Sequence, residues 1–160
     1  MKSIFNLFCL ALLLLLNATT YSQETKRNYV GGFAAFGSEI EKFGFGGLGD
    51  FYFSDEVSFS PQLLYYFAGS SSSFSEINAN INYHFSNTSQ IDLYAFGGLN
   101  LSNFTGTSNP FKRISSDVGI NLGAGLQLNT DYDFIPFAEL KYVLASSEQA
   151  VLFLGVKFSI

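Results

Sequence analysis

The chemistry on offer in this sequence is concentrated around its single histidine, in the stretch His84-Phe85-Ser86-Asn87, with Asp92 a few residues on. A histidine, a serine and a carboxylate are the parts of nucleophilic ester hydrolysis, in which the imidazole takes the serine proton while the carboxylate orients the ring. A plainer reading uses the same residues. If the connection over 86–90 is a turn symmetric about Thr88, His84 stands directly across from Asp92, and the pair satisfies two polar groups in a confined interior. Other chemistries find little to work with. One histidine, and one cysteine (Cys9) inside an N-terminal apolar block, cannot supply the usual metal ligands, so neither a metal nor a cofactor is expected. The glycines Gly44, Gly46, Gly47 and Gly49 are followed by no helix and are not a phosphate loop; they suit places where a sheet wall bends.

What must position these residues is a set of strands. From Asn28 onward apolar residues alternate with polar or small ones, and turn-forming residues interrupt the pattern at short intervals. In Glu76 to Phe85, residues Ile77, Ala79, Ile81, Tyr83 and Phe85 share one face, and Glu76, Asn78, Asn80, Asn82 and His84 the other. The same reading gives Phe43 to Phe53, Val57 to Phe67, Ile91 to Leu101, Ile114 to Leu128, Tyr132 to Val143 and Gln149 to Ile160. Asn28 to Phe36 makes an eighth strand whose phase is open, because both of its faces are apolar or small. Pro61 and Pro136 fall inside strands and call for bulges or terminal positions. The breaks are short, so sequence neighbours should pair as antiparallel hairpins, and an even number of strands can close and remove both edges. The expected fold is all-β: an eight-stranded antiparallel up-and-down transmembrane β-barrel.

Ahead of the strands, Lys2 precedes an apolar block from Ile4 to Leu16, with Thr20 and Ser22 placed for a cut before Gln23. This layout reads residues 1–22 as a signal peptide and is too short for a spanning helix. Residues 23–27 then form a tail and 28–160 one barrel domain. The 138 residues after the cut carry seven basic and thirteen acidic side chains, a balance that argues against nucleic acid. The charged fraction is 13% and the aromatic fraction 18%, which excludes disorder and suits a surface partly covered by something apolar.

Alternation leaves open which face looks inward, and the charge map decides it. Apart from the tail and the turns, seven charges lie in strands: Asp50, Glu76, Asp92, Asp117, Glu139, Lys141 and Lys157. All are on the polar face, which is otherwise rich in Gly, Ser and Asn and fits the narrow interior of an eight-stranded barrel. With His84 they form the expected interior polar set. If the turn near Thr130 is symmetric, Lys141 lies opposite Gly119 and diagonal to Asp117. Aromatics gather at strand ends of the apolar face (Phe43, Phe53, Tyr65, Phe67, Tyr83, Phe85, Tyr142, Phe158), as interfacial girdles do. A soluble lipocalin-like barrel binding a small apolar ligand would invert the two faces. The longest break, Ser102 to Arg113, is the candidate surface loop, with Phe104, Phe111, Lys112 and Arg113 as its contact residues.

The signal block, the eight alternating segments and the final strand Val151 to Ile160, with Phe158 two residues from its end, resemble the small bacterial outer-membrane β-barrel family of OmpX-type, porin-like domains. The resemblance implies an outer-membrane location in a Gram-negative-type bacterium, a lipid surround, insertion by the barrel-assembly machinery, a monomer, and a non-enzymatic structural or surface-interaction role. A second resemblance is confined to His84-Phe85-Ser86-Asn87, which is similar to the His-x-Ser-Asn stretch of outer-membrane lipid A deacylases. It implies an esterase using His84 and Ser86. That implication conflicts with the phasing, which points both residues into the barrel.

Overall fold

A computed structural model describes residues 28–67, 72–87, 90–108, 111–130, 132–146 and 148–160. The expected signal peptide and tail lie outside the described residues, which contain no helix. Eight strands follow one another: β1 (Tyr29–Gly37), β2 (Lys42–Tyr52), β3 (Val57–Tyr66), β4 (Ser72–Asn87), β5 (Ile91–Ser108), β6 (Phe111–Leu128), β7 (Phe134–Leu144) and β8 (Gln149–Ser159). Each pairs antiparallel with the next, and β1 pairs with β8 from Tyr29↔Ser159 to Gly37↔Val151, closing the barrel. Closure removes the free edges of the sheet, which matters most where no water is present to satisfy backbone groups.

The two faces separate as alternation requires. Ile77, Ile81, Leu99, Leu122, Leu140 and Leu154 point outward and are exposed, whereas Gln62, Glu76, Asn78, Asn80, Asn82 and Asn121 point inward and are buried. A lipocalin-like barrel would show the reverse. Outward aromatics form two bands. Phe53, Tyr83, Phe85, Phe134 and Phe158 lie at the end where β1 begins and β8 finishes, here the inner end, and Phe43, Tyr65, Phe67 and Tyr142 lie at the opposite, outer end.

The phase of β1 is set by packing. Phe33 and Ala35 are buried, and the Phe33 ring meets Phe153 edge-on at 5.0 Å and Phe137 at 6.5 Å. Room for inward rings comes from glycines on neighbouring strands. A Cβ at Gly125 would stand 2.4 Å from Cζ of Tyr94, and one at Gly155 would stand 2.6 Å from Cε1 of Phe137. Neither position accepts a side chain without moving a ring. Pro61 lies where the β2–β3 ladder is interrupted between Leu48↔Gln62 and Phe51↔Phe59, and there the Ser60 hydroxyl donates to the Gly49 carbonyl at 3.1 Å. Pro136 lies just past the last β6–β7 pair, Gln127↔Phe137.

Three expectations are corrected. Ser102 to Arg113 is no loop: β5 and β6 run on as a paired hairpin through Phe104↔Ser115, Gly106↔Arg113, Thr107↔Lys112 and Ser108↔Phe111. Thr105 and Thr107 favour extended backbone, and continued pairing satisfies groups that an irregular loop would leave to water. Phe104, Phe111, Lys112 and Arg113 are therefore strand residues near a hairpin tip. At 18 residues each, β5 and β6 exceed the roughly 9–11 that a tilted spanning strand needs, and the excess stands out at the outer end. In the β4–β5 hairpin the ladder closes on Asn87↔Asp92 instead of being symmetric about Thr88, and this register, shifted back by one residue at a bulge between His84 and Ser86, sets His84 opposite Tyr94 instead of Asp92. Finally, Lys141 faces Gly123 instead of Gly119, because the β6–β7 connection is longer than a turn centred on Thr130 allows.

Candidate functional site

The inward faces of all eight strands meet in a packed polar interior. Asp50, Glu76, His84, Asp92, Glu139, Lys141 and Lys157 are all buried there, and Asp117 is half-buried at the outer mouth. Three clusters stack along the axis.

At the inner mouth, the bulge that shifts His84 along its strand still leaves Nδ1 within 3.0 Å of Asp92 Oδ2. Its Nε2 lies 3.2 Å from the Ser58 hydroxyl. Ser58 comes from β3, where it pairs with Asn82, and the Asn82 amide donates to Ser58 Oγ at 3.1 Å. The Gln127 amide donates to Asp92 Oδ2 at 2.9 Å and to the Tyr52 hydroxyl at 3.2 Å. The rings of Tyr52 and Tyr94 each lie 5.0 Å from the imidazole. The imidazole thus bridges Asp92 and Ser58 through its two ring nitrogens.

Ser58, His84 and Asp92 are therefore connected as a nucleophilic triad is connected. Their surroundings differ from a triad's. Ser58 is fully buried and its oxygen is held by Asn82, whereas hydrolysis needs room for a carbonyl and donors about 3 Å from its developing oxyanion. The arrangement satisfies polar groups and locks the ring. Of the two residues that the deacylase resemblance implies, His84 points inward and takes Ser58 as its hydroxyl partner. Ser86 pairs in the ladder with Leu93, and its side chain lies outside the described residues.

In the middle, Lys157 reaches Asp50 at 2.7 Å and the Gln127 carbonyl oxygen at 3.1 Å, with its ammonium 5.0 Å from the Phe137 ring centroid. Glu139 accepts from Gln62 at 3.0 Å and from the Tyr94 hydroxyl at 2.8 Å. Towards the outer end, Glu76 collects four donors: Lys141 at 2.6 Å, Gln149 at 2.7 Å, Asn100 at 3.1 Å and Tyr66 at 3.2 Å. Below it, Asn78, Asn80 and Asn121 are joined through the Asn121 amide. Buried charges are tolerable when paired and hydrogen-bonded in this way. Lys141 pairs with Glu76, not with Asp117, whose carboxylate instead accepts from the Ser146 amide and hydroxyl at 3.0 and 3.3 Å.

Among the described residues no group of three or more His, Cys, Asp or Glu is placed to hold a metal ion. Sequence reasoning assigned no role to Ser58, Asn82, Gln62, Tyr94 and Gln127, although all share the alternation phase of the inward-facing residues.

Residues 8–148 match a family model described as the outer membrane protein beta-barrel domain. Among solved structures, the N-terminal β-barrel domain of Pseudomonas aeruginosa OprF is similar with a TM-score of 0.73 at 19% identity, over 86% of this chain and 100% of that one. Neisserial surface protein A gives 0.69 at 17%, over 86% and 100%. Ail, the attachment invasion locus protein of Yersinia pestis, gives 0.64 at 17%, over 84% and 97%. No curated protein matches the chain.

Proposed function

The chain belongs to the outer membrane protein beta-barrel domain family, and from that premise we propose a non-enzymatic, plugged outer-membrane barrel that holds a hairpin above the bilayer as a structural or surface-contact element. In this reading residues 1–22 are removed on export, the barrel-assembly machinery inserts a monomer, and outer-membrane lipid covers the apolar face. The observation that carries the plugged state is the interior itself: Lys141, Lys157, Tyr66, Tyr94 and Phe153 are fully buried across the lumen. Eight strands leave an interior that side chains can fill, with no aqueous channel. The contact role is supported by the shape of the outer end. There β6 pairs with β7 only from Ile120↔Leu144 onward, so the paired β5–β6 hairpin continues past the β7 wall.

Fractionation with planar-bilayer recording tests this. Expected are recovery in the outer-membrane fraction, faster migration of the unheated than of the boiled protein on a gel, and no steady conductance. Recovery in the soluble periplasm without detergent, or ohmic channels from the purified monomer, would overturn the reading.

A further inference from the structure

We propose that the outward wall of the barrel carries a groove for one acyl chain of an acylated amino sugar of the lipid A type, an inference that rests on the outer-membrane reading above. A hollow of about 430 Å³ lies on that wall across β2, β3 and β4, within the size range of small-molecule sites. Its walls are the outward side chains Phe45, Leu63, Tyr65 and Ile77, all exposed, and Gly47 forms its floor. Two kinds of glycine meet here. Gly46 is required from inside, since a Cβ there would strike the Phe33 ring. Gly47 points outward, and a Cβ there would meet nothing nearer than the Gly31 carbonyl oxygen at 3.5 Å; at its ladder partner Gly32 the nearest atom is the Gly46 carbonyl oxygen at 3.8 Å. Packing within the barrel therefore leaves both positions open to a side chain. A glycine inside a strand gives up packing and marks the close approach of another group. On a lipid-facing wall that group is a hydrocarbon chain, which gains dispersion contact with Phe45 and Leu63 as it lies over Gly47.

One end of the hollow is polar, and this narrows the ligand class. Along β4, β5 and β6 the outward row Ile77↔Leu101↔Val118 is apolar, and the next outward row towards the outer end is Ser75↔Asn103↔Ser116. Ser75 lines the hollow and pairs with Tyr65 of β3. The apolar belt thus ends inside the hollow, as a lipid does where its chain joins its headgroup. Hydroxyl and amide side chains bond to the hydroxyls and amide linkages of an acylated sugar. Among the described residues no Lys or Arg lines the hollow to select a phosphate instead.

Native mass spectrometry of the detergent-folded protein, released from micelles holding equal amounts of lipid A and dioleoylphosphatidylcholine, tests this. One lipid A per barrel is expected, retained in preference to the phospholipid. Gly47→Leu fills the hollow from its floor and should lower that retention about tenfold. Gly97→Leu, at a glycine of β5 whose Cβ would likewise meet nothing nearer than 3.8 Å, should leave it unchanged. Ser75→Ala should lower the preference for lipid A over phospholipid, and it decides the matter if Gly47→Leu loses the folded gel band. The groove is overturned if the folded parent retains no discrete lipid A, if phospholipid is retained equally, if the deciding variant matches the parent, or if Gly97→Leu loses as much as Gly47→Leu. A folded barrel that retains no lipid A would sink the groove alone, whereas recovery of the chain in the soluble periplasm would sink the outer-membrane reading with it.

Discussion

Lys157 on β8 and Asp50 on β2 meet at 2.7 Å inside the barrel, beneath β1, which lies between their strands. The pair ties the last strand to the second across the closing seam. Lys157→Met leaves Asp50 buried with, among the described residues, the Asn82 amide at 3.5 Å as its side-chain donor. Removing one partner of a buried pair costs about 3–5 kcal/mol, and replacing both by apolar residues restores much of it. Urea unfolding in lipid vesicles should show that loss for Lys157→Met and a partial return for Lys157→Met with Asp50→Leu. Equal stability of the single variant and the parent would deny the pair its structural role.

Gly125 yields the clearest packing expectation. Its missing Cβ is the space that the Tyr94 ring occupies, and the Tyr94 hydroxyl is fixed on Glu139. Gly125→Ala should destabilise by about 1–3 kcal/mol, the range for overpacking. Adding Tyr94→Leu should remove part of that penalty, and a double-mutant cycle would register the coupling; additive effects would contradict it.

On the outer surface, Leu154 is exposed near the middle of β8, and Phe158 sits in the inner aromatic band. An arginine at bilayer mid-depth costs about 2–4 kcal/mol and one near the interface about 0–1. Leu154→Arg should therefore reduce folded yield in vesicles far more than Phe158→Arg does. Equal penalties at the two sites would place the membrane elsewhere on the barrel.

The inner-mouth cluster separates structure from catalysis. His84→Ala leaves Ser58 and Asp92 without their imidazole partner, so a loss of about 1–3 kcal/mol is expected. Lipid A acylation in cells overexpressing His84→Ala or Ser58→Ala should match that in cells making the parent. A mass-spectrometric change in acylation caused by the parent and abolished by either substitution would make the trio an active site.

Alternation carried most of the fold because a period of two assigns every side chain of a strand to a face at once. It could not phase β1, where Gly32, Phe33, Ala34, Ala35 and Phe36 leave no polar face. That choice depends on which strand has a glycine to receive Phe33, a contact between distant parts of the chain. Register was the weaker inference. The β4–β5 turn closes on Asn87↔Asp92 instead of around Thr88, and with a bulge near Phe85 this sets His84 opposite Tyr94 instead of Asp92 in the ladder, yet the flexible side chains still bring imidazole and carboxylate together. The partner of Lys141 was misjudged, and none was assigned to Lys157, for a related reason: turn length sets neighbours along the sheet, whereas Lys141–Glu76 and Lys157–Asp50 are contacts across the lumen. Ser58 was legible in phase but not in role, since its neighbour Asn82 is set by the β3–β4 register.

The two buried lysines belong to β7 and β8, and the carboxylates they hold belong to β4 and β2. A sheet made of β1 to β6 alone would contain Glu76 and Asp50 but neither of the ammonium groups that neutralise them. Dehydrating the lumen of such a sheet would strand two anions, so the lumen is best kept wet until β7 and β8 are in place. Docking of β7 and β8 then supplies hydrogen bonds to the backbone and counter-charge to the interior in the same movement. A barrel left open at β7 and β8 is penalised twice, by unpaired backbone groups and by buried carboxylates without their counter-charges.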